Sequence, residues 1–297
     1  MKILKKKYDL SIIIPTINNP IKLVSLIRSI DYQNSLTRKK IELIIVAQKR
    51  SVSYNFFNNY KNIHNIIIVN QFKKSLSIAK NTGIKRSSGE LICFLDDDIS
   101  LDKSFIFNLL NFFKKNHKID LLFGSIKITN RNQYYSRYMS NLPTKINFFN
   151  MKKCLASAMI LKARTNKNLF DINFGLGGKF PSSEETDFLI SSIIIHKRNV
   201  FYHPKITVYH KNDEFLGGDL NRIKKKFYSY GLGSGAMHAK YIKKIFIFKV
   251  LMIFELIKSF TGIVIGILIF NRYYIFKHFF LLHGKIKGFF KYFSIKS

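Results

Sequence analysis

The sequence contains no tryptophan, 5 prolines and 2 cysteines, and its 17 Asp and Glu are few beside 50 Lys and Arg in 297 residues. Two cysteines, Cys93 and Cys154, cannot build the disulfide framework of a small secreted scaffold. Cys93 lies in the apolar run "ELICFL", so both thiols read as reduced packing residues and a cytosolic compartment follows. The basic start "MKILKKKYDLSIIIPT" has an apolar run from Leu10 to Ile14 that is too short for a signal-peptide core, and no small-residue cleavage site follows it. The apolar stretch Ser259 to Asn271 falls short of the roughly 20 residues of a spanning helix. Hydrophobic residues at 47% with 23% charged exclude a disordered chain, a collagen-like fibre and a many-span transporter. The length allows one large domain or two modest ones.

What is present in excess is positive charge, a formal +33. Such a chain is attracted to polyanions: nucleic acid, an anionic membrane surface or phosphorylated small molecules. Abundant Lys, Asn, Ile and Phe without Trp is also what codon bias in an AT-rich genome produces, and that bias accounts for much of the charge. It does not account for six of the 17 acids falling in two clusters, Asp96, Asp97, Asp98 and Glu184, Glu185, Asp187. Clustered carboxylates in an acid-poor chain call for a cation or a chemical role.

The apolar pattern alternates strands and helices. Leu10 to Ile14, bounded by Pro15, reads as a strand buried on both faces. A helical pattern from about Ile21 to Ser29, a strand at 41–47, a helical stretch near 52–60 and a strand at 65–70 follow. A helix carrying Leu76, Ala79 and Ile84 stops at Gly89 and leads into "ELICFL", which runs directly into Asp96. Then come a helix over 101–115, a strand over 119–128, a less regular middle to about 180, a helix capped by Ser182 or Ser183, and a Pro-broken edge strand ending in His210. This alternation predicts an α/β fold whose ligands bind beyond the carboxyl ends of the strands, where Asp96 lies.

From residue 220 onward the chain holds 15 basic residues and one acid, Glu255, interleaved with Phe and Ile. Cationic amphipathic helices in the interface of an anionic membrane fit this best, with Phe246, Phe248, Leu251, Phe254 and Phe260 as anchors. A transmembrane span and a dimerising or core-capping region are the competing accounts.

Carboxylates at i and i+2 on a turn, such as Asp96 and Asp98, can share a hard cation that neutralises a nucleotide diphosphate. The same residues would also complement the dipole of the following helix. With "SIIIPT", "AKNTGIKRSSGELICFLDDD", "SSEETDF" and "YHPKITVYH" in this order, residues 8 to 215 resemble the inverting nucleotide-sugar glycosyltransferases of the GT-A fold, glycosyltransferase family 2.

The resemblance implies a Rossmann-like, mostly parallel sheet with flanking helices over 1–215, followed by a basic hydrophobic helical region over 216–297. It implies Mg²⁺ or Mn²⁺ on the Asp-x-Asp element. Asp98 would be the direct ligand, Asp96 would hold the ribose or a metal-bound water, Asp97 would be a third contributor, and His210 a further ligand. Pro15, Thr16, Gln48, Lys80 and Asn81 fall at nucleotide-binding positions. Ala47 and Gln48 stand where the family carries a base-binding Asp, and an amide can still hydrogen-bond a uracil edge. Lys80 replaces an Arg, keeping the charge and losing the bidentate fork. Glu185 matches the catalytic base, with Glu184 and Asp187 as alternatives or as helix-capping carboxylates. The loop Gly175 to Gly178 before it is either an acceptor approach or a plain connection.

The implied activity is single in-line transfer, with inversion, from a nucleotide sugar, UDP-linked, to a hydroxyl of a glycan or lipid-linked glycan in cell-surface polysaccharide synthesis. It would take place at the cytoplasmic face of a membrane. An inactive relative and a basic nucleic-acid-binding protein are the rivals. The second leaves both acidic clusters unexplained, and no nucleic-acid partner is expected.

Overall fold

A computed structural model describes residues 7–17, 20–48, 59–131, 133–154, 157–163, 169–211 and 219–296. The helical stretch expected near 52–60 lies, but for its last two residues, outside these. Two compact units emerge: Met1–Phe170 with Phe188–Asn212, and Asp171–Asp187 with Asp213–Ser297. Residues 171–187, expected within the catalytic domain, thus group with the C-terminal helices.

In the first unit, continuous apolar runs make strands, all but the half-buried edge strand buried on both faces. β1 (Tyr8–Thr16), β2 (Ile41–Gln48), β3 (Asn65–Gln71) and β4 (Gly89–Leu95) pair in parallel in the order β3-β2-β1-β4. Helices α1 (Pro20–Thr37) and α2 (Leu76–Arg86) make the connections; α1 runs past the expected Ser29, and Ser75 caps α2 by accepting from the Ile78 N–H. Helix α3 (Phe105–Lys115) buries Phe105, Leu109, Phe112 and Phe113, as its spacing predicts. It starts four residues later than expected because Ser100–Leu101 form a short strand, β5.

The irregular middle hides a central strand. Within the apolar stretch at 154–163, β8 (Ala158–Lys162) inserts antiparallel between β4 and β6 (Leu121–Ile128). β9 (Val200–His210) then pairs parallel with β6, while β5 and β7 (Thr144–Ile146) pair antiparallel with β9. β9 is therefore neither an edge strand nor broken at its proline. The ladder slips between Gly124 and Ser125, where Ser125 Oγ and Thr207 Oγ1 each donate to the Pro204 carbonyl at 2.8 Å. A side chain at Gly124 would collide with the Ile206 carbonyl, so the bulge requires glycine there. Two successive antiparallel pairings restore direction. β6 and β9 consequently run parallel to β4, and His210 ends at the same edge of the sheet as Thr16, Gln48 and Leu95.

In the second unit, Asp219 caps α5 (Leu220–Ile242) by accepting from the N–H groups of Asn221 and Arg222. α6 (Ile247–Leu268) and α7 (Arg272–Lys296) form a hairpin. α5 and α7 approach backbone to backbone through Gly231 and Gly235 on one helix and Gly284 and Gly288 on the other. The segment Phe174–Ser182 is a closed turn, with Gly175 and Gly177 at positive φ, a Phe180 N–H to Asn173 O bond and Phe174 packed on Phe180.

A Gly235→Val side chain would drive into the Lys285 carbonyl and force α5 from α7. The expected cost is about 1–3 kcal/mol of stability. Urea denaturation of the full chain measures it, and an unchanged midpoint would refute the close approach of the two helices.

Candidate active site

The strand ends of the first unit converge on one pair. Asp96, Asp97 and Asp98 follow β4 on a turn, each partly exposed. Two residues after Asp98 the chain enters β5, whose rung Ser100 opposite Tyr209 fixes the turn against the end of β9. Asp98 Oδ1 lies 3.4 Å from His210 Nε2, and Lys22 Nζ is 4.0 Å from the other oxygen. His210 Nδ1 is 2.6 Å from the Lys211 carbonyl, which can only accept, so Nδ1 carries the proton and Nε2 is the atom turned to Asp98. Tyr135 packs edge-on against the imidazole. Hydrogen bonding to His210 holds the Asp98 carboxyl below its ordinary range against burial, and the same contact raises the imidazole to about 9.

The neighbouring carboxylates are held differently. Asp96 accepts from Ser157 Oγ at 2.7 Å, and Asp97 accepts from Thr16 Oγ1 at 2.5 Å. Burial pushes the Asp97 carboxyl up, with the adjacent Asp98 and Asp96 adding to it, while the Thr16 bond opposes. The metal set inferred from the sequence thus resolves into one close pair, Asp98 and His210. Among the described residues no group of three or more His, Cys, Asp or Glu gathers around a common point. An oxygen and an imidazole nitrogen suit Mn²⁺ or Mg²⁺ when substrate phosphates supply further ligands. The Nδ1–H bond to a backbone carbonyl is the usual way a ligating imidazole is oriented. The residues present therefore fit such a cation.

The other expected nucleotide contacts are spent internally. Pro15 is buried within β1 opposite Val46. Gln48 is buried, and its Oε1 accepts from the Ser75 N–H at 2.9 Å, tying the end of β2 to the start of α2. Asn81 brackets the Phe170 backbone, donating to its carbonyl and accepting from its N–H at 2.8 Å each. Lys80 is buried with Nζ 5.1 Å over the Phe170 ring, not presented at the surface for a phosphate.

The second acidic cluster opens α4 (Glu184–Ile190), whose first turn groups with the second unit. Ser183, at positive φ, occupies the position before the helix; Ser182 Oγ instead donates to the Ser229 carbonyl, so the box from Ser182 to Glu185 is not the cap. Asp187 is 3% exposed and fully engaged. Lys240 Nζ donates to it and to Asp171 at 2.8 Å, and the Tyr241 hydroxyl donates to it at 2.9 Å. Burial works against the Lys240 ammonium, yet the two carboxylates outweigh it and raise its pKa. Glu184 is buried, and Glu185 alone of the three is partly exposed. Sequence reading missed Ser157, Tyr135, Asp171, Lys240 and Tyr241. The one available signal was Lys240 following the small-residue face Gly231, Gly235, Ala236 and Ala239 of α5.

Residues 11–170 match the model of glycosyl transferase family 2, and the chain belongs to that family. Among curated proteins it is 33% identical over 117 residues to the poly(ribitol-phosphate) beta-N-acetylglucosaminyltransferase TarP of Staphylococcus aureus, covering 38% of this chain and 35% of that protein. It is 26% identical over 137 residues to the Escherichia coli UDP-Glc:alpha-D-GlcNAc-diphosphoundecaprenol beta-1,3-glucosyltransferase WfgD, covering 45% and 49%. The chain thus spans about a third to a half of the length of these two relatives. In fold it is similar to the mannosyltransferase PcManGT from Pyrobaculum calidifontis in complex with GDP-Man and Mn²⁺, with a TM-score of 0.66 at 12% identity over 96% of this chain and 88% of that one. It is similar too to residues 1–349 of S. aureus TarS, with a TM-score of 0.58 at 13% identity over 94% and 92%.

Replacing Lys240 with Met leaves Asp187 buried without its cation. The variant should lose about 3–5 kcal/mol, the usual cost of breaking a buried pair from one side. Adding Asp187→Leu should recover part of it. Calorimetric melting of both variants checks this, and a Lys240→Met protein as stable as the parent would remove the anchor from the account.

Proposed function

We propose that this family 2 chain transfers a sugar, with inversion, from a UDP-linked nucleotide sugar to a hydroxyl of a cell-surface or lipid-linked glycan. The observation that carries the reading is the pairing of Asp98 with His210 at the carboxyl-end edge of the sheet. It is supported by the names of the relatives, which act on poly(ribitol-phosphate) and on a diphosphoundecaprenol-linked sugar, and by TarS structures in complex with UDP and with UDP-GlcNAc. A cytoplasmic setting is proposed with it, in keeping with the free thiols of Cys93 and Cys154. The catalytic domain is proposed to comprise residues 1–215 and the basic helical region residues 216–297.

Asp98 and His210 would hold a Mg²⁺ or Mn²⁺, with Asp96 directed to the ribose, and a bound divalent cation supplies positive charge to a departing diphosphate. Thr16 fixes Asp97 beside that turn. Glu185 takes the proton from the acceptor hydroxyl while that oxygen attacks the anomeric carbon from the face opposite the nucleotide. Two facts favour Glu185 over its neighbours: Asp187 already serves Lys240 and Tyr241, and Glu184 is buried. Asp187 then acts as a positioning residue, anchoring the helix turn that carries the base. The internal engagement of Gln48 favours a second reading, a family member without transferase activity, and the same assays decide it.

Glu185→Gln should keep donor affinity while transfer falls about 10²- to 10⁴-fold, as expected when a general base is removed. Steady-state transfer and calorimetric donor binding measure the two quantities separately. Asp187→Asn should instead lower the melting temperature, and a stable Asp187→Asn protein with the larger loss of rate would transfer the role of base to Asp187.

Asp98→Ala should abolish Mn²⁺-dependent binding of UDP while the protein still melts cooperatively in EDTA, at a temperature lowered only by the loss of the His210 contact. Retained Mn²⁺ dependence in a titration followed by thermal shift would overturn the ligand assignment.

A further inference from the structure

The second half of helix α6 is built inside out for a helix in water. In the first half Phe248 and Met252 pack inward, which removes Phe248 from the expected membrane anchors. From there on the inward positions are small or polar: Ser259 is buried, and Gly262 and Gly266 abut His278 and Ile275 of α7 so closely that a side chain at either glycine would collide. Its outward positions are large. Phe246, Val250, Ile253, Ile257, Phe260, Val264 and Ile267 follow one another at steps of four and three, so they lie on one face along the whole helix. Each is exposed, from 40% at Val264 to 74% at Phe246. The turn after the helix continues the pattern, with Leu268, Ile269 and Phe270 also exposed. A contiguous apolar stripe of this length is a surface built to be covered.

The charges around the stripe say by what. Glu255 is the one acid from residue 220 onward, and it is turned inward: Lys285 Nζ donates to its carboxylate at 2.8 Å, to its carbonyl at 2.9 Å and to Ser259 Oγ at 2.9 Å. What the hairpin and its approach show to the outside is therefore cationic, with Lys243, Lys244, Lys249, Lys258, Arg272, Lys287 and Lys291 all exposed. Lys249 and Lys258 flank the stripe on opposite sides, where their stems can lie along apolar surface while the ammonium groups reach outward. A second copy of this chain seated on the stripe would bring lysines against lysines with no acid to answer them. An anionic interface answers all of them.

We infer that α6 lies in the plane of an anionic lipid leaflet, with the stripe from Phe246 to Ile267 and the Leu268–Phe270 turn immersed at the boundary of headgroups and acyl chains. By length and composition α6 could cross a bilayer, but its charges disfavour a span: over the 22 residues Ile247–Leu268, a rise of about 33 Å, an upright helix would place Glu255 and Lys258 near the middle of the hydrocarbon. Lying flat, the basic residues sit at headgroup depth, where each adds to binding. This inference is independent of the chemistry proposed for Asp98 and Glu185.

The test is flotation of the full chain on a density gradient with vesicles of phosphatidylcholine containing 30% phosphatidylglycerol, against pure phosphatidylcholine and against soluble polyphosphate. The parent should float with the anionic vesicles, with partition falling at least about tenfold on pure phosphatidylcholine. The double variant Ile253→Asp, Ile257→Asp should lose partition by at least about tenfold while keeping its circular-dichroism melting curve, since both side chains point away from the protein. A second variant, Val250→Ser with Val264→Ser, gives the same readout should the aspartates disturb folding. Failure of the parent to float, equal flotation of all variants, binding of polyphosphate but not vesicles, or a dimer that the variants convert to monomer without any vesicle binding would each overturn the inference. Retention on vesicles through carbonate extraction would overturn the in-plane geometry in favour of a span.

Discussion

A rung of two residues holds the candidate site together. β5 is only Ser100–Leu101, yet its antiparallel pairing with Val208 and Tyr209 brings the turn bearing three adjacent carboxylates against the end of β9, where His210 stands. Like charges on neighbouring residues repel, and a strand-end turn with no opposing cation would spread them into solvent. The rung is itself secured by Leu101, buried at 8% exposure, by the Asp102 N–H bonded to the Thr207 carbonyl, and by the Tyr209 hydroxyl donating to Asp102. Even the slip in β9 serves it, because the bulge around Pro204 sets which residues of the strand reach the sheet edge in register with β6 and β5. The chemistry of the edge thus depends on packing and hydrogen bonds behind it.

The parallel half of the sheet was legible in the sequence because burial on both faces leaves unbroken runs of Ile, Leu and Val, as in β1, β2 and β4. β8 carries a similar run but is flanked by residues of no clear turn type, and an antiparallel insertion between parallel strands has no local signature. β5 is too short to have any. The closeness of Asp98 and His210 was foreshadowed in the sequence, because an acid or a histidine directly after a buried strand has few structural reasons to be there. For Gln48, Lys80 and Asn81 the sequence could not show their internal partners, because position along a strand or helix says nothing of what lies behind the side chain. Gln48 and Asn81 both ended up bracing backbone from the far side. The proposed preference for Glu185 over Asp187 rests on Lys240, more than fifty residues downstream, and no spacing within "SSEETDF" could express it.

Where the few acids go is the second organising fact. Asp98 is matched to His210 and Lys22, Asp171 and Asp187 to Lys240, and Glu255 to Lys285. Lys240 and Lys285 are themselves withdrawn from the surface by these contacts, so each pair removes one cation and at least one anion from view. Buried pairs of this kind contribute modestly to net stability and strongly to uniqueness of packing, since breaking either side leaves a charge without its partner. With 50 Lys and Arg against 17 Asp and Glu, the basic residues far outnumber the acids that could meet them.

Codon bias can set how many lysines, isoleucines and phenylalanines a chain contains, but it cannot choose the side of a helix on which they fall. In α3 Phe105, Phe112 and Phe113 point inward, Phe107 is exposed, and the lysines end the helix. In the second half of α6, beyond the inward Phe248 and Met252, the arrangement is the other way round, with Ser259, Gly262 and Gly266 inward and Phe260, Val264 and Ile267 outward. One composition thus obeys two opposite rules within a single chain. A helix packs small residues against its protein neighbours and leaves large apolar ones outside when its outer surroundings are as apolar as they are. The contrast between α3 and α6 is therefore a property of placement, and placement answers to the medium on each side of the helix.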